Sequence, residues 1–174
     1  MLNIFVLLII AVSLSMDTFS LSIIYGTMNF SKRKIYLLSV VVGIFHFLMP
    51  FLGNLIGLNI INKLPISSNV LVGLIFIIIA FQMLLQKDEI VEITHFFSIL
   101  FFAFTVSIDS FSVGIGISSI TSNYVLAYSI FSITSLLFTY VGLLFGKILH
   151  SYLGTIATKF GSIILIILGI IYVF

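Results

Sequence analysis

From the start of the chain to Lys32 there is one charged side chain, Asp17, and it falls inside an apolar run, SLSMDTFSLSI at residues 13–23. No other feature limits the fold so sharply. A carboxylate in the hydrocarbon core costs roughly 2.5–3.5 kcal/mol on insertion scales, so the helix that carries it must turn that face toward protein or water. The chain poses the same problem twice. Residues 105–115 read TVSIDSFSVGI, and Ser15, Asp17, Phe19, Ser20 and Ile23 recur as Ser107, Asp109, Phe111, Ser112 and Ile115, each 92 residues on. Asp17 and Asp109 are the only acids within apolar segments.

Lipid has to be the solvent for most of this sequence. Of 174 residues 61% are hydrophobic and 7% charged, with mean hydropathy +1.40, more apolar surface than a soluble domain of this length can hide. Six apolar runs lie near Leu2–Ile24, Ile35–Asn59, Ser67–Leu85, Phe96–Ser119, Tyr124–Gly146 and Thr158–Phe174. Each is close to the ~20 residues a helix needs to cross the hydrocarbon core, and all are too long and too evenly apolar for barrel strands. The first run lacks the basic leader of a signal peptide, and its second half recurs at Thr105, so it is expected to stay on the mature chain. The absence of cysteine excludes a disulfide framework, thiolate metal sites and a cysteine nucleophile. The few cations sit between the runs rather than in a patch, so no nucleic-acid partner is expected.

The connections carry nearly all the charge. Lys32, Arg33 and Lys34 follow the first run and Lys63 the second. Lys87, Asp88, Glu89 and Glu92 follow the third, while Lys147 and Lys159 bracket the fifth connection. By the positive-inside rule the odd-numbered connections face the cytoplasm and both termini face out. Tyr25, Tyr36, Tyr124 and Tyr172 fall near run ends, where interfacial aromatics belong.

The duplication reaches past the aspartates. Gly43, His46, Pro50, Gly53 and Gly57 share one helix face, and Ser132, Ser135, Thr139, Gly142 and Gly146 repeat that spacing 89 residues later. Gly73 has its counterpart in Gly161. The expected fold is therefore all-α: one polytopic membrane domain of six transmembrane helices, built as three-helix repeats over 1–86 and 87–174. An odd number of spans per repeat turns the second upside down. Secondary transporters often follow this plan, with the substrate site near midplane where the repeats meet.

Ser13, Asp17 and Ser20 lie on one helix face, as do Thr105, Asp109 and Ser112, so each carboxyl has hydroxyls a turn away on either side. Two carboxylates balance one divalent cation, and oxygen donors suit magnesium, calcium or manganese. His46, Met49 and Met16 add softer donors. His46 reads equally as ligand, proton carrier or satisfied structural group, and the two methionines also as packing. Pro50 either kinks the second span or breaks it to free carbonyls for an ion. Burial favours the neutral carboxylic acid, so exchanging protons for metal keeps such a cavity near neutrality. Rocking of one half against the other would carry the ion across. With no P-loop, ATP coupling within the chain is not expected. Two other classes use similar parts: an intramembrane aspartyl protease, and a scaffold or channel whose aspartates only lock helices together.

The motifs SMDTFSLSI and SIDSFSVGIG, with GIFHFLMPFLG in the second span and YLGTIATKFGS before the sixth, resemble the MntP-type manganese efflux pumps from first helix to last. That resemblance implies a non-enzymatic exporter of Mn²⁺ in the bacterial inner membrane, with Mn²⁺ as cargo rather than cofactor. It also implies that Asp17 and Asp109 are the acids of the two family motifs. The presenilin-type proteases place Gly-x-Gly-Asp around one acid, whereas here Gly114 and Gly116 follow Asp109. Oligomeric state is left open.

Overall fold

The computed structural model describes residues 4–28, 30–61, 68–85, 93, 95–146 and 152–173. Every regular element among them is a helix: α1 (Ile4–Gly26), α2 (Lys32–Ile61), α3 (Ser68–Leu85), α4 (Phe96–Val106), α5 (Ile108–Ile120), α6 (Tyr124–Gly146) and α7 (Tyr152–Val173). By length and composition α1, α2 and α6 can each cross a membrane, and α4 with α5 makes a fourth span if the bent pair is counted as one. Shorter apolar stretches, Val72–Phe81 and Ser162–Ile171, lie in α3 and α7. The faces are distributed as lipid demands. Large apolar side chains point outward, Phe97 at 82% exposure among them, while serines, threonines and glycines line the interior. Of the basic and acidic connection residues, Lys63, Lys87, Asp88, Glu89, Glu92 and Lys147 lie outside the described residues.

The two sequence halves do not pack as separate bodies. The aspartate-bearing α1 lies against α6 and α7 of the second half, and α5, which carries Asp109, lies against α2 and α3 of the first. Two further extensive contacts, α2 with α6 and α3 with α7, also cross between halves. Rocking one half as a rigid unit against the other would therefore break every major contact at once.

Glycine makes this interlock possible. A Cβ at Gly53 or Gly57 would land on the backbone carbonyls of Phe111 or Ile115, and a Cβ at Gly146 on that of Ile23. At Gly142 it would meet the Ser22 Cβ at 2.7 Å and the Phe19 carbonyl oxygen at 2.9 Å. These are matched contacts: Gly53 stands to Phe111 as Gly142 stands to Phe19, and Gly57 to Ile115 as Gly146 to Ile23. Where the halves cross, a Cβ on Gly43 would lie 3.2 Å from the carbonyl oxygen of Ser132, its own sequence counterpart. Without a hydrophobic force between helices in lipid, such close backbone approach supplies much of the attraction.

Three local outcomes depart from the sequence reading. The fourth apolar run, expected as one helix, is broken, with α4 and α5 meeting at 43°. At the junction Ser107 takes φ −110° and ψ 4°, and its hydroxyl donates to the carbonyls of Ala103 at 2.7 Å and Phe104 at 3.1 Å. A side chain inserted into the backbone ladder is a recognised cause of a kink. By contrast α2 runs through Pro50 as one helix. Tyr25, placed at an interface by its position, is buried with its ring edge-on to Phe102 at 4.8 Å, whereas Tyr36 is exposed as expected.

Two apolar clusters cap the bundle interior. One joins Leu7, Ile10 and Leu14 to Val113, Ile117 and Phe131; the other joins Leu21 and Tyr25 to Leu38, Val42, Phe102 and Leu143. At the second end Lys34 donates from Nζ to the Ile93 carbonyl and lies 4.3 Å from the Phe30 ring centroid. The helix segments between the clusters carry the polar side chains described next. Gly53→Val and Gly142→Val should each destabilise the protein by about 3 kcal/mol or more, since overpacking against backbone leaves little room to relax. Ile133→Ala, on an exposed face, should cost far less. Thermal unfolding in detergent, followed by size-exclusion of the surviving fold, measures both.

Candidate cation site

Asp17 is buried at 8% exposure in α1. Asp109 sits in the first turn of α5, two residues past the break, where helix N-terminal amides face a carboxylate favourably. Its Oδ1 accepts the Ser110 N–H at 2.6 Å, while its buried Oδ2 has no hydrogen-bond partner. Asp17 contributes to the electrostatic surroundings of Asp109. Asp17 thus stands on a helix packed against α6 and α7, and Asp109 on one packed against α2 and α3.

The surrounding hydroxyls fall into two groups. Ser13 is buried and donates to the Ile9 carbonyl at 2.8 Å, so its hydrogen is already committed. Thr105 precedes the break, is exposed, and donates to Phe101 at 2.9 Å; it does not share a face with Asp109. Ser112 is half-buried with a long contact of 3.5 Å to the Ile108 carbonyl. Ser20, in contrast, is buried with Oγ unpartnered, and so is Ser110 beside Asp109. The bend explains the difference. It swings α4 away from the axis of α5, so the one-turn spacing that holds along α1 fails across Ser107.

His46 is fully buried. Its Nδ1 lies 3.0 Å from the Val42 carbonyl, which only accepts, so Nδ1 carries the proton and Nε2 turns its lone pair toward the Thr18 hydroxyl at 3.5 Å. Among the described residues no three acidic or imidazole side chains converge closely enough to hold a metal. Met49 is buried; Met16 is half-buried against the cluster containing Leu14 and Phe131.

Sequence reasoning passed over the direct links between helices. Ser15 and Ser135 join α1 to α6 through their hydroxyls at 3.0 Å, both fully buried. Ser15 belonged to one repeat pattern and Ser135 to another, with nothing in the spacing to connect them. Its counterpart Ser107 uses its hydroxyl on its own backbone instead. Thr139, buried next to this bridge, donates to the Ser135 carbonyl at 2.7 Å. Ser15→Ala and Ser135→Ala should each lower stability by about 0.6 kcal/mol, and by no more than about 1.7, as intramembrane hydrogen bonds do. The double substitution should cost little more than either alone, which a double-mutant cycle of unfolding free energies reads directly.

The family profile described as "Mntp: Putative manganese efflux pump" matches residues 29–173. A protein of Bacillus cereus (strain G9842) named "Putative manganese efflux pump MntP" is 35% identical over 173 residues, covering 97% of this chain and 94% of the relative. Proteins of the same name from Bacillus thuringiensis (strain Al Hakam) and Bacillus anthracis (strain A0248) are each 34% identical over the same shares. No solved structure matches the chain. The likeness covers both aspartate helices and the glycines they rest on, and with it the chain belongs to the MntP family, described as pumps and not as enzymes.

Proposed function

We propose that this protein exports Mn²⁺ from the bacterial cytoplasm across the inner membrane in exchange for protons, through a site built on Asp17 and Asp109. One observation carries the reading: two carboxyls from matching motif positions, Asp17 buried and Asp109 half-buried with its Oδ2 buried and unpartnered, lie on helix segments between two apolar clusters. Two like charges in a medium of low dielectric repel strongly, so both cannot stand bare at once. Either protons or a cation must sit with them. That mutual exclusion is the physical content of antiport: loading the metal releases the protons, and returning protons release the metal.

The cation would meet hard oxygens, namely Asp17, the unpartnered Oδ2 of Asp109, and the unpartnered hydroxyls of Ser20 and Ser110. His46 Nε2 and Met49 are softer donors, and recruiting either would favour Mn²⁺ over Mg²⁺. Thr105, Ser112, Ser13 and Met16 are second choices, since the first three already contact backbone carbonyls and the last packs on apolar side chains. In the same reading the chain is six spans in two inverted repeats, supported by the matched glycine-to-carbonyl contacts of α1 with α6 and α5 with α2. In this reading Lys32 and Arg33, exposed at the start of α2, lie at the cytoplasmic end by the positive-inside rule, with both termini outside. Because the halves interlock, the motion that switches access is bending of individual helices, with the break at Ser107 as its evident joint.

The protease and scaffold readings have no support from the family. Asp17→Asn and Asp109→Asn should each abolish Mn²⁺ export from proteoliposomes, by at least a hundredfold, with the protein still inserted and monodisperse. Wild-type export should speed up under an imposed proton gradient directed against it. Normal export by either variant would remove the site, and indifference to the gradient would remove the antiport.

A further inference from the structure

Beyond the carboxyl layer, two more polar side chains are buried in the bundle without a use. Asn54 on α2 is 6% exposed and Tyr128 on α6 is 3% exposed. The Tyr128 hydroxyl and the Asn54 side chain lie within reach of each other, but neither that hydroxyl nor Asn54 Oδ1 has a partner at full hydrogen-bond geometry. In lipid an unsatisfied polar atom costs free energy that nothing nearby returns, so each such atom calls for a visiting partner. The tyrosine ring itself is firmly held, with Phe47 and Phe51 edge-on to it at 5.6 and 6.3 Å.

Their position is informative. Gly53, adjacent to Asn54, packs on Phe111, Gly114 and Ile115 of α5. That sets Asn54 about five residues, or roughly 8 Å, beyond Asp109 along the helix toward Ile120. Tyr128 lies five residues, again roughly 8 Å, inward of Asn123. At that end the described residues line a cavity of about 380 Å³ with Ser118, Ser119, Thr121, Ser122 and Asn123. Asn54 and Tyr128 thus lie between the level of Asp109 and the hydroxyl-lined cavity, with Tyr128 part of the apolar cluster at this end.

The opposite direction lacks them. By the 89-residue spacing, Tyr128 corresponds to Ser39 and Asn54 to Leu143. Ser39 already donates to the Ile35 carbonyl at 2.9 Å, and Leu143 is fully buried in the apolar cluster with Tyr25 and Leu38. A pair that served only to hold helices together would not need to be unsatisfied on one side and absent on the other.

We propose that Asn54 and Tyr128 form a second, uncharged oxygen station for a partly hydrated divalent cation, between the carboxyl pair and the hydroxyl-lined cavity. The inference rests on the cation-export reading. An amide carbonyl and a phenol are hard neutral donors: they replace some of the ion's water without holding it as charged carboxylates do. A weak station next to a strong one lets the ion leave.

The natural absence of cysteine gives a direct test in the full chain in proteoliposomes. Tyr128→Phe removes one oxygen and should slow Mn²⁺ export fivefold or more, while Mn²⁺ affinity measured calorimetrically on the purified protein stays within twofold. Asn54→Cys puts a soft thiol at the station, and micromolar Cd²⁺ should then block Mn²⁺ export reversibly on chelation. The counterpart Ser39→Cys should resist that block. Wild-type export by Tyr128→Phe, or equal Cd²⁺ sensitivity of Asn54→Cys and Ser39→Cys, overturns the station while leaving the carboxyl site standing. Normal export by Asp17→Asn together with Cd²⁺ block of Asn54→Cys would overturn the carboxyl site and leave the station.

Discussion

Everything in this molecule depends on four glycines that let one helix backbone lie directly on another. Gly53 and Gly57 receive α5, and Gly142 and Gly146 receive α1. Lipid offers no hydrophobic reward for bringing helices together, so the reward has to come from backbone contact over a smooth surface. The two helices seated this way are the ones that carry a carboxylate. Close approach therefore does two jobs with one geometry: it supplies the packing energy, and it removes Asp17 and Asp109 from lipid. A side chain at any of the four positions would weaken the bundle and push a carboxylate toward hydrocarbon together.

The elements of this fold were largely legible in the sequence, and their arrangement was not. Run lengths set α1, α2, α3 and α6 to within a few residues, because a lipid-spanning helix has a length fixed by the bilayer. The two aspartates were legible for the same reason: a charge inside an apolar run is expensive enough to be a signal. Which helix lies on which is another matter. The glycine faces of the second and fifth spans announced tight contacts, but spacing along one helix says nothing about the partner, and a three-helix repeat invites the guess that it packs on itself. Tyr25 misled in a similar way, since a position near a helix end is an interfacial position only if that end faces outward.

The break at Ser107 was illegible for a subtler reason. Ser15 and Ser107 occupy equivalent places in near-identical motifs, yet one hydroxyl reaches across to Ser135 and the other folds back onto Ala103 and Phe104. A serine inside a helix has both choices, and in a membrane they differ by about the strength of one modest hydrogen bond. No local pattern decides between outcomes so close in energy; the neighbouring helix does. Across from Ser15 stands Ser135, a hydroxyl able to donate or accept. The equivalent neighbour on the other side is His46, whose ring is committed to Val42 and turned toward Thr18. Without a partner across the gap, Ser107 turns to its own backbone and the helix bends.

That small difference has a large lever arm. The bend comes two residues before Asp109, so it fixes where the carboxyl stands relative to its own hydroxyls. It takes Thr105 out to the lipid face and brings the Ser110 N–H onto Oδ1. α1 keeps Asp17 on an unbroken helix with Ser20 beside it. Two equivalent acids are thereby held in unlike surroundings, one on a straight helix and one at a helix start where amide dipoles favour negative charge. Identical surroundings would make the two carboxyls compete evenly for any proton or cation between them. Unlike ones make the two carboxyls inequivalent. In the proposed cation site such an inequality gives direction, and here it follows from a single serine hydroxyl choosing between two carbonyls and a neighbour.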